Sequence, residues 1–222
     1  MIHIEGVEFT YPGHAFRLRV PRMRVGAGER VAIVGPSGSG KTTLLHLIAG
    51  ILVPGSGDVS VGGSSLPSMR ETARRAFRLR AMGLVFQEFE LIEHLNVLEN
   101  ILLPCRISPA VRLTPGHRER ARSLARDMGI ERELNRYVRR LSQGERQRVA
   151  MCRALVLEPP LLLCDEPTGN LDPVTKEHVL DGLFAQVARG HTTLVAVTHD
   201  HGLLSRFDAT IDFTALQTGG AP

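Results

Sequence analysis

Four short apolar runs punctuate the chain, and each ends abruptly on a polar or glycine residue. Val31 to Val34 is followed by Gly35, Gly83 to Phe86 by Gln87, Leu161 to Cys164 by Asp165, and Thr193 to Thr198 by His199. Apolar runs this short, with no polar alternation, predict strands buried on both faces, as in a parallel sheet. Ligands of open α/β sheets bind beyond the carboxyl ends of the strands. Four strands ending on four such residues therefore predict one site assembled from distant sequence. The N-terminal stretch reads differently. Ile2, Ile4, Val7 and Phe9, then Phe16, Leu18 and Val20, alternate with polar positions and predict antiparallel β-structure. Between Gln87 and Leu141 the pattern becomes charged and periodic, with turn signals at Pro104, Pro109, Pro115 and Gly129. This predicts a helical subdomain inserted into the sheet.

Composition narrows the class. With 43% hydrophobic residues in 222, the chain can bury a sizeable core and is not of the disordered type. Glu5 and Glu8 interrupt the start, which lacks the basic-then-apolar order of a signal peptide. The longest apolar stretch, Leu44 to Val53, is too short to span a bilayer, so any membrane role is expected to come through a partner. Cys105, Cys152 and Cys164 have no paired spacing, which argues against a disulfide framework or a zinc site and for a reducing cytoplasm. Net charge is +4 and carried mostly by arginine, so the lysine kept at position 41 calls for a reason. The Arg-rich stretches, Arg70 to Arg80 and Arg112 to Arg140, are interleaved with acids. They read as solvated helix faces in preference to a nucleic-acid surface or an anionic membrane surface.

The chemistry sits at the strand ends. Gly35-Pro36-Ser37-Gly38-Ser39-Gly40-Lys41-Thr42 fits the phosphate-loop pattern G-x-x-x-x-G-K-[ST] between a predicted strand and a predicted helix, Thr43 to Ala49. Glycines let the backbone bend until several N–H groups converge on phosphate oxygens. Lys41 would neutralise the β- and γ-phosphates, the Thr42 hydroxyl would ligate Mg²⁺, and the helix N-terminus would add its dipole. Leu161-Leu-Leu-Cys-Asp165-Glu166 places a cation-holding Asp165 at a strand end, with Glu166 next to it as the residue to orient and deprotonate an attacking water. Ser142 with Glu145 three residues on is a capping box, so a helix is expected to begin at Ser142.

The run Leu141 to Leu155, LSQGERQRVAMCRAL, makes the resemblance specific. It is similar to the signature motif and helix of the ABC ATPases, and it lies between Gln87, which matches their Q-loop, and the Asp165–Glu166 pair. Tyr11 matches the aromatic residue that stacks on adenine, Asn170-Leu171-Asp172 the D-loop, and His199 the switch histidine that contacts the γ-phosphate. The resemblance covers nearly the whole chain, with every diagnostic element in order. Gln143 stands where the family commonly has glycine and Glu145 where it has glutamine, while Gly144 is kept.

The resemblance implies a P-loop NTPase fold with a RecA-like parallel sheet core, an N-terminal antiparallel β-subdomain and an inserted α-helical subdomain. It implies a single domain over residues 1–222, with a catalytic core at 1–88 and 156–222 and a helical subdomain with the signature motif at 89–155. ATP and Mg²⁺ are the implied cofactors. Tyr11, Gly35, Pro36, Ser37, Gly38, Ser39, Gly40, Lys41, Thr42, Thr43 and Asp165 would bind nucleotide, and Ser142, Gln143, Gly144 and Glu145 would cap the nucleotide of a second subunit. Thr42, Gln87 and Asp165 would hold the metal, and Glu166, His199, Gln87 and Lys41 would serve catalysis.

The implied assembly is a homodimer, or a heterodimer with a sister ATPase. It would sit on the cytoplasmic face of the membrane against integral permease subunits, and no nucleic acid is expected. A soluble nucleic-acid-associated ABC ATPase is the alternative; the intact catalytic set argues against a non-hydrolysing module. Phe86 to Asn100, the stretch from Asp165 to Asp172 and the short C-terminus resemble the lipoprotein-release and macrolide-export group (LolD, MacB, FtsE). In that family, coupling helices of the membrane subunit dock beside the Q-loop. Phe89, Leu91, Ile92 and Leu95 are therefore candidates for that contact, or equally for the core of the helical subdomain. His3, His14, His46, His94 and His191 are read as structural or exposed.

Overall fold

Local chemistry sets the elements, which a computed structural model describes for residues 1–108, 111–168 and 173–218. In chain order these are β1 (Ile2–Thr10), β2 (Arg17–Val25), β3 (Arg30–Val34), α1 (Lys41–Ile48), β4 (Ser56–Val61), β5 (Ser64–Ser65), α2 (Glu71–Ala81), β6 (Met82–Val85) and α3 (Val97–Ile101). They continue with α4 (Leu103–Ile107), α5 (Pro115–Asp127), α6 (Gln143–Leu155), β7 (Leu161–Asp165), α7 (Pro173–Gly190), β8 (Thr193–Val197), β9 (Ala209–Asp212) and α8 (Phe213–Thr218). Two compact units emerge: Met1–Arg78 joined by the segment from Thr193 onward, and Leu79–Thr192.

In the first unit the alternating N-terminal residues form an antiparallel sheet of order β2-β1-β4-β5. Its register pairs Ile2 with Val25, Ile4 with Met23, Val7 with Val20 and Phe9 with Leu18, so one face is wholly apolar and buried. Beside it run the parallel strands β8-β3-β9, with Ile33 opposite Val197 and Val34 opposite Asp212. All five residues of β8 are buried, which matches the unalternating pattern that predicted it. Arg30 and Asp208 lock the start of the β3–β9 pair: the Arg30 backbone N–H and Nε donate to Oδ2 at 2.9 and 3.0 Å, and Nη2 donates to Oδ1.

The second unit holds the parallel pair β6–β7, Val85 opposite Cys164, with every residue of β7 buried. Helix α6 lies against β6, α3, α5 and α7. It approaches β6 so closely that a Cβ on Gly83 would fall 2.3 Å from the Ala154 carbonyl oxygen, which is why a glycine interrupts that strand. Asp127 on α5 accepts from Gln186 (2.7 Å) and Arg189 (3.0 Å) of α7, fixing these two helices together.

Proline reads differently in the structure than in the sequence. Pro104 and Pro115, which by pattern mark turns, stand in the first turns of α4 and α5, where the missing N–H costs nothing. Gly129 does mark a turn, with φ 67° just past α5, and Pro109 lies outside the described residues. The Arg70 to Arg80 stretch forms α2, none of whose residues is buried, yet two of its arginines are not merely solvated. Arg74 Nε donates to Gly50 O (2.9 Å), and Arg78 Nη1 to Ala49 O (3.1 Å) and Gly50 O (3.0 Å), closing the C-terminal end of α1. Burial pulls the Arg78 pKa below its ordinary value. The three cysteines are free and buried, and no helix among the described residues is long and apolar enough to cross a membrane.

Candidate functional site

The phosphate loop lies in the first unit, between β3 and α1. Gly40 is the N-cap of α1 at φ 107°, and no side chain caps that helix. A Cβ on Gly40 would sit 2.6 Å from Phe16 Cζ, so the position excludes larger residues both by conformation and by space. The first N–H groups of a helix have no intrahelical partner and carry the positive end of its dipole, so an uncapped start is a ready anion site. Lys41 is only 7% exposed and folds over the loop, its Nζ donating to Gly35 O (2.9 Å) and Pro36 O (2.7 Å). An ammonium has three donors, so this geometry leaves one for a phosphate oxygen. Thr42 is exposed, whereas Thr43 is buried with its hydroxyl 3.1 Å from the Tyr11 phenol. Tyr11 also packs edge-on against Phe9, ring centroids 4.8 Å apart, so its ring is held at the mouth of the loop.

Register brings His199 to the same place. Ile33 opposes Val197, and Thr198 donates its N–H to Ile33 O at 3.1 Å, so His199, two residues past Val197, stands level with Gly35 and is exposed. On the other side of β3, Val34 opposes Asp212 and brings Phe213 level with Gly35. A Cβ on Gly35 would meet Phe213 Cβ at 3.1 Å, and Gln217 Nε2 donates to Ser39 O at 3.1 Å. Helix α8 thus supports the loop from behind. Sequence reading missed the loop contacts of Phe213, Gln217 and Phe16: the first two meet the loop from the far end of the chain, and no motif marks any of the three.

The second unit carries the remaining candidates. Val85 opposes Cys164, which puts Gln87 level with Glu166 just beyond the end of β7. Asp165 is buried, Glu166 half-buried and Gln87 exposed. Glu166 has φ 47°, a left-handed backbone that a non-glycine residue holds only at a cost. The predicted capping box is present: Glu145 Oε2 accepts from the Ser142 N–H (2.7 Å) and Ser142 Oγ from the Glu145 N–H (3.3 Å). Ser142 and Gln143 are exposed and Gly144 is buried. Phe89, Leu91, Ile92 and Leu95 are each half-buried, neither pure core nor free surface. Asn170, Leu171 and Asp172 lie outside the described residues.

The oxygen donors assigned to a cation, the Thr42 hydroxyl, the Gln87 carboxamide and the Asp165 carboxylate, are of the hard type that suits Mg²⁺. No group of three or more His, Cys, Asp or Glu residues able to hold a metal ion occurs among the described residues. Hard oxygens of this kind suit Mg²⁺, an ion that keeps few protein ligands and shares itself with phosphates.

A glycine loop feeding an uncapped helix, with a folded-over lysine and buried parallel strands behind it, defines a nucleotide-binding P-loop ATPase domain. The sequence pattern of the ABC transporter family matches residues 18–169, and the chain belongs to that family as an ATP-binding subunit. The lipoprotein-releasing system ATP-binding protein LolD of Chromohalobacter salexigens is 44% identical over 214 residues, covering 94% of this chain and 88% of that protein. Among solved structures, the dimeric bacterial ABC transporter cassette MJ0796 superposes with a TM-score of 0.86 at 32% identity, covering 96% of this chain and 95% of that one. The same cassette in a dimeric post-hydrolysis state bound to ADP and Pi gives a TM-score of 0.86 at 31% identity, with the same coverage. The expected fold class and ATPase chemistry are therefore borne out, and the family supports the transport reading over the nucleic-acid alternative.

Proposed function

We propose that this subunit powers a membrane complex of the lipoprotein-release type by closing with a second ATPase subunit around ATP and reopening after hydrolysis. The observation that carries the proposal is that one chain presents two different half-sites. One is a phosphate loop whose helix start is uncapped; the other is a second helix start whose Ser142 is exposed. A two-fold dimer pairs each half with its complement, which is the isologous arrangement that symmetric assemblies use. The LolD relative supports a lipidated, membrane-derived cargo, and the dimeric cassette supports the assembly.

In this reading the N–H groups from Gly38 to Thr43 and the Lys41 ammonium cradle the phosphates, and Tyr11 stacks on the base. Thr42, Gln87 and Asp165 would hold Mg²⁺, which when bound would offset charge on the phosphates. Glu166 accepts the proton of the attacking water, its strained backbone aiming the carboxylate, and Gln87 and His199 position the water and the γ-phosphate. Across the dimer, Ser142 meets the partner's nucleotide. Its oxygen accepts from Glu145 N–H while its own proton stays available to donate, and the N–H groups of Gln143 and Gly144 add the helix dipole. Phe89, Leu91, Ile92 and Leu95 contact the membrane subunit at the cytoplasmic face.

The test is affinity capture of Glu166→Gln, loaded with Mg-ATP, from detergent-solubilised membranes of the source organism. Recovery of an integral membrane protein together with a dimeric ATPase is expected. Recovery of DNA, RNA or ribosomes with no membrane protein would overturn the transport reading.

A further inference from the structure

The segment following Gln87 is held from two sides by buried polar side chains that no phosphate contact requires. At its far end Asn100, fully buried, accepts from the Ile92 N–H (2.8 Å) and donates to Ile92 O (3.0 Å), Leu95 O (3.3 Å) and Asn96 O (3.1 Å). At its near end Arg153, 8% exposed, donates Nη2 to Phe89 O and Nη1 to Glu90 O. Phe89 and Glu90 are consecutive non-glycine residues at φ 61° and 49°, a backbone that persists only where the surroundings impose it. The fork of a guanidinium suits two adjacent carbonyls in a way an ammonium does not. Burial lowers the Arg153 pKa, and the Glu90 carboxylate opposes that shift.

Arg153 belongs to α6, the helix whose first residues carry Ser142 and Gln143. Eleven residues separate Ser142 from Arg153, roughly 16 Å along one rigid rod. The side chains presented by the held segment, Phe89, Leu91, Ile92 and Leu95, are half-buried and apolar.

We propose that Arg153 is a positioning residue that fastens the segment 88–96 to α6, so that a displacement imposed on Ser142 by a partner's nucleotide is delivered to Phe89–Leu95 as one body. This rests on the dimer reading above and adds to it the side chain that fastens the contact segment to α6. Coupling needs a physical link with no slack, and two hydrogen bonds from one planar group to successive carbonyls supply one. Loss of the link would leave nucleotide binding intact, because neither Phe89 nor Glu90 lies in the phosphate cradle.

Hydrogen–deuterium exchange read residue by residue on the Glu166→Gln background tests this. The amides of Phe89, Ile92 and Leu95 are the reporters, since they donate to Phe86 O (3.0 Å), Asn100 Oδ1 (2.8 Å) and Ile92 O (3.1 Å). In Arg153→Met these amides are expected to exchange about tenfold faster without nucleotide. On adding Mg-ATP the variant is expected to dimerise by size-exclusion chromatography while the reporters fail to respond as they do in the parent. Arg153→Lys, which keeps the charge and can reach one carbonyl, is expected to lie between the two and provides the readout if Arg153→Met does not fold. Parent-like nucleotide-free rates together with a parent-like ATP response in the variant would overturn the proposal. A parent that fails to dimerise would overturn the dimer reading instead, and the fastening would then stand or fall on the nucleotide-free rates.

Discussion

Two helix starts in this chain do opposite things with the same backbone problem. Every α-helix begins with N–H groups that lack partners. Helix α6 pairs two of these N–H groups through the Ser142–Glu145 capping box, in bonds of 2.7 and 3.3 Å. Helix α1 does not: its N-cap is a left-handed Gly40 with no side chain to accept. A missing cap costs a helix about 1 kcal/mol, and α1 offsets this at its other end, where Arg74 and Arg78 donate to the carbonyls of Ala49 and Gly50. Cationic donors at a C-terminus satisfy the last carbonyls and the negative end of the dipole together. An N-terminus meant to receive phosphate inside its own subunit is thus left open and braced from behind. On the dimer reading proposed above, the α6 start would meet a nucleotide brought by another subunit; it is capped within its own chain and keeps a hydroxyl proton to offer.

The largest effect expected from breaking this contrast concerns chemistry. Glu166→Gln should lower phosphate release by about a thousandfold while retaining ATP binding, and Lys41→Ala should lose binding as well. Turnover within tenfold of the parent in Glu166→Gln would reject Glu166 as the base. Next comes Gly40→Ala, which puts a Cβ 2.6 Å from Phe16 Cζ on a left-handed backbone; a loss of about 2–3 kcal/mol is expected in urea denaturation, with ATP binding reduced alongside. A fully stable variant that binds ATP would show that the open start of α1 does not depend on glycine. Ser142→Ala should cost about 1 kcal/mol of fold stability, seen as a drop of about 2–4 °C in Tm. The same variant should lose ATP-driven dimerisation in the Glu166→Gln background, out of proportion to that small loss.

The smallest effect lies behind the loop. The Arg30 guanidinium and backbone N–H hold the Asp208 carboxyl down to about 2. A carboxylate with a depressed pKa stabilises the fold above its unfolded value, near 3.9, and loses that contribution as pH falls towards the folded value. Both side chains are more than a third exposed, so screening keeps the pair below about 1 kcal/mol. Asp208→Asn should therefore narrow the stability difference between pH 6 and pH 2.5 only slightly, and less so at high salt. A large change would mean that the β3–β9 register, and with it Phe213 behind Gly35, depends on this pair.

Much of the site was written in local patterns. Short unalternating apolar runs predicted β3, β6, β7 and β8, and Gly35, Gln87, Asp165 and His199 each stand at a strand's last residue or within two residues of its end. The glycine loop and the Ser142–Glu145 spacing announced the two helix starts, because caps and tight turns depend on residues within a few positions of one another. Other features have no local signature. Arg74, Arg78 and Arg153 look like any arginine on a charged helix until folding places carbonyls within reach of their donors, and Phe16, Phe213 and Gln217 acquire meaning only where they touch the loop. Motif and periodicity encode interactions along a few turns of backbone, whereas bracing and fastening join positions 24 to 178 residues apart, whose meeting depends on packing the whole unit.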